Sequence, residues 1–451
     1  MFDKYSRIRF STVHRGVALL TALLLFLSFV FPQPGFGYAV LSHQALVDVV
    51  WESYLKPTLL ARYPNATEEE LSRAQAYAYG GSIIQDLGYY PHGNKFFSDL
   101  THYVRSGDFV MALLRDSKNI FEYGFALGAL SHYATDNAGH RLATNRAVPI
   151  LYPNLKKKFG DVVTYEDDPL AHVKTEFGFD VLQMAQEHYA PESYHDFIGF
   201  EVSKRLMEEA FQEVYCIELR SVLEDEERAL TSYRHDVSKL IPSATRIAWS
   251  LKRKEIRADV PGATRDKFLY NLSRSDFETE WGDNYDRPGR WDSFLAFVYK
   301  LVPKFGPLRV FELKTPTPET EKLFEESFNS SVEECRKLLR EESQNKLHLP
   351  NVNFDVGSET VGGKYRLNDD AHARLLHQLA ENKFQCISPE LRAEILTFFE
   401  NREAPFDTKK DKKAWERVLL ELQELNGMTS EASRLPTQRR GVTSDVKASS
   451  E

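Results

Sequence analysis

Residues Phe121 to His140 read FEYGFALGALSHYATDNAGH, and no other stretch constrains the fold of this chain as tightly. The segment is rich in Ala and Gly, a composition that suits a helix packed closely among its neighbours. Its second half places His132, Asp136 and His140 four residues apart each time. In an α-helix such residues turn by about 40° and rise by about 6 Å per step, so all three project from one face. A row of this kind lines a metal site or marks a wet polar surface.

The interval recurs. His172 and Glu176, in AHVKTE, are again four apart and share a helical face. Asp86 lies in GGSIIQDLGYYPHG, at or just past a helix end, and His102 follows in SDLTHYV. His43 sits further upstream in YAVLSHQAL. One histidine–carboxylate pair at this spacing is a weak signal. Three such intervals inside a hydrophobic helical frame point to zinc, which takes imidazole nitrogen and carboxylate oxygen at distances near 2 Å.

The rest of the chain reads as all-α. HQALVDVVWESYL repeats apolar residues at helical spacing. TEEELSRAQAYAYGGSII opens with Thr67 followed by Glu70, a capping-box arrangement. DPLAHVKTEFGFDVLQMAQEHY starts on an Asp-Pro helix signal, and Phe197 to Lys254 reads as long and helical. Leu347 to Tyr365 reads as irregular or partly extended. NDDAHARLLHQLAENK, SPELRAEILTFFENR and KKAWERVLLELQEL read as capped or amphipathic helices. The expected organisation is a signal over 1–37, a helical domain over 38–255, a further mainly helical region over 256–427 and a disordered tail over 428–451.

The first residues have the order of a secretory signal. Lys4, Arg7, Arg9 and Arg15 precede an apolar run from Val17 to Phe31, followed by Pro32, Pro34 and the small residues Gly35 and Gly37. The run is shorter than the roughly 20 residues a bilayer span needs. Cleavage after Gly37 would make Tyr38 the first residue of a secreted or periplasmic protein; left uncleaved, the segment would be a signal anchor. Cys216, Cys335 and Cys386 are far apart, form no metal-type pair and permit at most one disulfide. The net charge of −9 argues against a protein that coats nucleic acid.

The order of these donors resembles the zinc-dependent phospholipase C family, whose helical fold and three-zinc site are shared by the single-strand-specific zinc nucleases. The resemblance covers roughly Tyr38 to Tyr189. It implies a first zinc held by Asp86, His102, His132 and Asp136, and a second held by His140, His172 and Glu176. A third would take His43, a shared Asp136, and the amino and carbonyl groups of Tyr38 once the signal is removed. The α-amino group, with a pKa near 8, gives up its proton readily to a metal.

The implied reaction is hydrolysis of a phosphodiester by water activated between zincs. Asp86 would act both as ligand and as the group that orients or deprotonates that water. A phospholipid or other phosphodiester is the implied substrate, with membrane-surface contact and no nucleic acid partner. Several positions depart from the family pattern. Tyr38 stands where the family usually has Trp, and Leu87 replaces the aromatic that follows the first Asp in phospholipases. The Tyr38–His43 interval is like that of the nucleases, whereas Glu176 is like the phospholipases.

Two other readings stay open: a single-strand nuclease or nucleotidase on the same fold, and a zinc-stabilised envelope protein without turnover. Tyr89, Tyr90, Phe96 and Phe97 are expected in the core rather than on an apolar rim. His92 is expected in a loop without a metal role. His188, His195, His235, His348, His372 and His377 are expected in solvent, as are Lys156 to Lys158.

Overall fold

The computed structural model describes residues 40–90, 92–185, 200–223, 225–235 and 314–428. The proposed signal, Tyr38, His188, His195, the boundary near 255 and the tail from 429 lie outside the described residues.

Helix α1, Val40–Val50, runs through a π-turn at Trp51–Leu55 into α2, Lys56–Arg62. α3, Glu68–Gly81, begins as its sequence dictates. Thr67 Oγ1 accepts from the Glu70 amide, and the Glu70 carboxylate accepts from the Thr67 amide. A 3-10 turn, Ile84–Tyr89, leads to α4, Lys95–Tyr103, and α5, Ser106–Asp116. α6, Ile120–Gly139, is capped by Asn119 and passes into a π-turn, His140–Thr144. Then come α7, Asn145–Leu151, α8, Pro153–Phe159, and α9, Pro169–Ala185.

The stretch expected as one long helix is broken within residues 200–235 into α10, Lys204–Tyr215, α11, Leu219–Val222, and α12, Glu226–His235. The break falls at Cys216, which adopts a left-handed backbone with φ 58°. Beyond residue 314 come α13, Pro318–Ser343, strands β1, Val352–Asn353, and β2, Ser358–Glu359, then α14, Arg366–Glu381, α15, Pro389–Phe398, and α16, Lys412–Gly427. The two strands pair antiparallel, Val352 opposite Glu359, inside the stretch expected to be partly extended. Among the described residues they are the only strands, and the fold is all-α as expected.

α6 is the axis. It is buried along nearly its whole length, packed against α3, α13, α5 and α1. Its small residues explain how α3 comes so near. A Cβ on Gly128 would lie 2.1 Å from the Ala78 carbonyl oxygen, and one on Gly124 would lie 2.6 Å from that of Ala74. Backbone meets backbone there, so no side chain can step aside. Gly128→Val is therefore expected to lower stability by at least about 3 kcal/mol, the upper end for overpacking. A denaturant midpoint indistinguishable from the parent protein would refute this reading of the α3–α6 contact.

The C-terminal elements share this core. One hydrophobic cluster runs from Val40 to Leu425 and includes Val332, Leu338 and Leu339 of α13, Phe354, and Leu375 and Leu376 of α14. Ser331 Oγ donates to the Thr135 carbonyl of α6, and Tyr123 donates to Glu342. A disulfide, Cys216–Cys386, joins the segment after α10 to the segment after α14 across 170 residues of sequence. Cys335 is free and buried in α13.

Tyr89, Tyr90, Phe96 and Phe97 are all buried in the core, as expected. His92 and His348 are exposed. His377 is half-buried, with Nδ1 2.6 Å from Glu421. His372 corrects the expectation of a solvated residue. Its ring is fully buried, stacks on Phe398 at 3.5 Å, and places Nδ1 2.9 Å from the Asn368 carbonyl. Lys156 to Lys158 are exposed on the short helix α8.

Candidate metal centre

Five elements converge beside the second half of α6. α1 brings His43 in its first turns, the 3-10 turn brings Asp86, and α4 brings His102 near its end. α6 itself supplies His132 and Asp136, the π-turn supplies His140, and α9 supplies His172 and Glu176. All eight side chains are buried. Tyr38 lies outside the described residues, so this structure bears on none of its contacts.

These residues form three groups whose donor atoms lie within metal-binding reach of one another: His43, His132 and Asp136; Asp86, His102 and His132; and His140, His172 and Glu176. Asp136 stands between groups. Its Oδ1 is 3.4 Å from His43 Nε2, and its Oδ2 is 3.0 Å from His132 Nε2 and 3.4 Å from His102 Nε2. His102 Nε2 is 3.3 Å from Asp86 Oδ1. Glu176 Oε1 is 3.4 Å from His140 Nε2 and 3.2 Å from His172 Nδ1. The row of His132, Asp136 and His140 is thus divided: the first two serve one side of the cluster, while the π-turn delivers His140 to Glu176.

The separations are informative. Two donors each about 2.0–2.1 Å from a tetrahedral zinc are roughly 3.3–3.4 Å apart. Hydrogen-bonded pairs of the same atoms come closer, near 2.7–2.9 Å. Asp86 Oδ1, His132 Nε2, both oxygens of Asp136, His172 Nδ1 and both oxygens of Glu176 are buried and make no hydrogen bond. A cluster of orphaned buried lone pairs is costly unless a cation takes them up. Imidazole and carboxylate donors without thiolate suit zinc, so the residues present fit the ion.

The opposite edges of the rings are held by the fold. His132 Nδ1 is 2.9 Å from the Ser82 carbonyl, just past α3, and His102 Nδ1 is 2.8 Å from the Ser98 carbonyl one turn back in α4. His172 Nε2 is 3.0 Å from Asn145 Oδ1, and His140 Nδ1 is 2.9 Å from Asp355 Oδ1. Each contact fixes a ring nitrogen and turns the other toward the cluster. His43 stacks on His132 with ring centroids 4.5 Å apart. Its helix is anchored by Asp180 of α9, which accepts from the Leu41 amide at 3.1 Å and from Ser42 Oγ at 2.7 Å.

Without metal the groups neutralise one another. Burial opposes charge on His102, yet the carboxylates of Asp136 and Asp86 beside it lift it to about 10. His140 rises to about 10 against the same burial, through Asp136 and Asp355. Burial and the neighbouring His132 push His43 down to about 3. Burial favours the neutral form of Asp136, but His132 and His140 hold it well below the usual carboxylate range. Asp355 likewise overcomes burial, through its bond to His140, and falls to about 2.

Sequence reasoning missed Asp355, Asn145 and Asp180. Asp180 extends the His172, Glu176 row by another four residues, a signal legible in the sequence. Asp355 lies more than two hundred residues from His140 in a stretch without regular pattern, and nothing local marks it.

The geometry defines a helical protein with a buried cluster of zinc-type donors. The family model for zinc dependent phospholipase C matches residues 42–224 of the chain. The matched segment contains all eight donor residues. No curated protein and no solved structure shows significant similarity to the chain.

Proposed function

We propose that the protein is a zinc-dependent phosphodiesterase of the phospholipase C type, cleaving a phospholipid to a phosphorylated headgroup and diacylglycerol. The observation that carries this reading is the set of 3.0–3.4 Å separations among buried imidazole nitrogens and carboxylate oxygens. Asp86, His102, His132 and Asp136 would hold one ion, and His140, His172 and Glu176 a second. His43 and Asp136, with the Tyr38 amino and carbonyl groups freed by cleavage after Gly37, would hold a third.

Zinc bound there supplies Lewis acidity toward phosphate oxygens and makes water acidic enough to attack near neutral pH. Asp86 orients the attacking water and takes its proton. Water oxygen would bond to phosphorus as the bond from phosphorus to the glyceryl oxygen breaks, and the proton taken by Asp86 would pass to that departing oxygen. Tyr165 flanks the cluster, 5.6 Å from His172 between ring centroids, with Lys95 Nζ 5.9 Å above its ring. It offers an apolar wall beside a cation, as a phosphorylated headgroup requires. Secretion or periplasmic export agrees with the Cys216–Cys386 bridge, because such bonds persist in oxidising compartments. No described helix is long and apolar enough to cross a membrane.

Mature protein loaded with zinc should release phosphorylated headgroup from phospholipid vesicles and leave single-stranded DNA intact. Nucleotide release without headgroup release would transfer the reading to a nuclease. Failure to cleave either substrate or a generic aryl phosphodiester would leave only a zinc-stabilised protein without turnover.

A further inference from the structure

The family match ends at residue 224, yet the chain beyond it enters the centre. The turn joining β1 to β2 is wedged against the ligand-bearing helices. Ser106 Oγ pairs with both the carbonyl and the amide of Val352, and the Phe354 amide donates to the His102 carbonyl. The Phe354 ring is fully buried, 5.3 Å from His102 and 6.0 Å from His132 between centroids. Where the segment leading into β1 passes α5, a Cβ on Gly107 would lie 2.6 Å from the carbonyl oxygens of Leu349 and Pro350, so the contact is backbone on backbone.

This turn places Asp355, only 2% exposed, behind the second group. Its Oδ1 takes His140 Nδ1 at 2.9 Å. Its Oδ2 accepts from Tyr103 at 2.8 Å and also from Tyr365. Its carbonyl accepts from Asn145 Nδ2 at 2.6 Å, and the Oδ1 of that same Asn145 lies 3.0 Å from His172 Nε2. One residue thus sets both histidines of a single group, one directly and one through Asn145.

We propose that Asp355 is a positioning residue for the ion held by His140, His172 and Glu176, so that the region beyond the family match completes the metal centre. The inference rests on the metal-centre reading above. A carboxylate on Nδ1 fixes the imidazole tautomer, aims Nε2 at the ion and raises its basicity. A buried carboxylate is expensive to keep, and here every partner is supplied: two tyrosine hydroxyls, an imidazole and the turn's own anchors. Held from three sides, it cannot swing away from His140.

The test is ion-by-ion release from the full-length mature protein. Wild type and Asp355→Asn are loaded with zinc and dialysed against buffers of graded free zinc, with bound metal counted at each step. Cobalt-substituted samples give the ligand field of the affected site. One ion should leave the variant at about 10–100-fold higher free zinc than in wild type, with its cobalt spectrum altered. The remaining ions should leave at unchanged free zinc. Release of every ion at the wild-type concentration overturns the proposal, as does an equal shift of all ions, which would mark a merely structural role.

Should Asp355→Asn fail to fold, the Tyr103→Phe/Tyr365→Phe double variant frees Oδ2 and should weaken the same ion severalfold; no shift there overturns the role equally. Wild type that takes up no zinc overturns the metal-centre reading and this inference together. Normal uptake by wild type with an unmoved variant overturns the role of Asp355 alone.

Discussion

Chelation should lower the melting temperature of this protein more than any single substitution in its core. Free zinc a thousandfold above Kd adds about 4 kcal/mol of stability per ion. Two ions therefore contribute about 8 kcal/mol, or roughly 13 °C at an unfolding entropy of about 2.1 cal/mol/K per residue over about 300 folded residues. The structural reason lies in the cluster itself. Asp86, Asp136 and Glu176 are buried with orphaned oxygens, so the stripped protein must satisfy them with protonated histidines.

That substitution of protons for metal gives the stripped protein its own pH dependence. His102 and His140 have folded values raised to about 10, against an unfolded value of 6.5. A raised histidine contributes stability that is fully present below 6.5 and lost as pH climbs through about 10. The chelated protein should therefore lose stability between those limits. Zinc reverses the sign, because its histidine ligands must be neutral, so affinity for the ion should rise over the same window as protons leave. Asp355, lowered to about 2, adds stability at higher pH that disappears as pH falls from about 4 to 2. Melting curves at pH 6, 8 and 10, with and without chelator, test both arms. Superimposed curves for loaded and stripped protein would sink the metal-centre reading.

What was legible in the sequence is what depends on local geometry. The Thr67–Glu70 capping box, the four-residue row on α6 and the His172–Glu176 pair are set by helical periodicity, which any helix of that composition must obey. The convergence of Asp86 and His43 on that row is a property of packing. It was accessible through family resemblance, since Asp86 sits in a 3-10 turn whose direction no local rule fixes. The turn from Asn351 to Gly357 was opaque for the same reason: its value comes from being seated against α4, α5 and α6. Among Cys216, Cys335 and Cys386 three pairings were open, and the choice was made by α13 burying Cys335 away from the other two. His372 misled because a histidine in an amphipathic helix reads as polar, whereas its ring lies flat on Phe398.

Asp136→Asn should be the most damaging conservative change in the molecule. Most of the donors would serve one ion, but the two Asp136 oxygens have different neighbours, Oδ1 lying by His43 and Oδ2 by His132 and His102. An amide in its place keeps the volume, loses the negative charge and puts an N–H where one ion needs a lone pair. Two sites are therefore weakened together, and the bound zinc count should fall by more than one ion per chain. Hydrolysis should drop on the order of 10⁴-fold or more, the scale seen when one member of a catalytic unit is removed. Members of such a unit are not additive, so His132→Ala combined with Asp136→Asn should cost little beyond either alone. Asp99 provides the contrast: its carboxylate pairs with Lys95 at 3.0 Å, belongs to no donor group, and its Asn variant should keep the full complement of zinc. An Asp136→Asn protein with unchanged zinc content and unchanged turnover would show that the cluster does not share a bridging carboxylate, and the three-ion arrangement would fall with it.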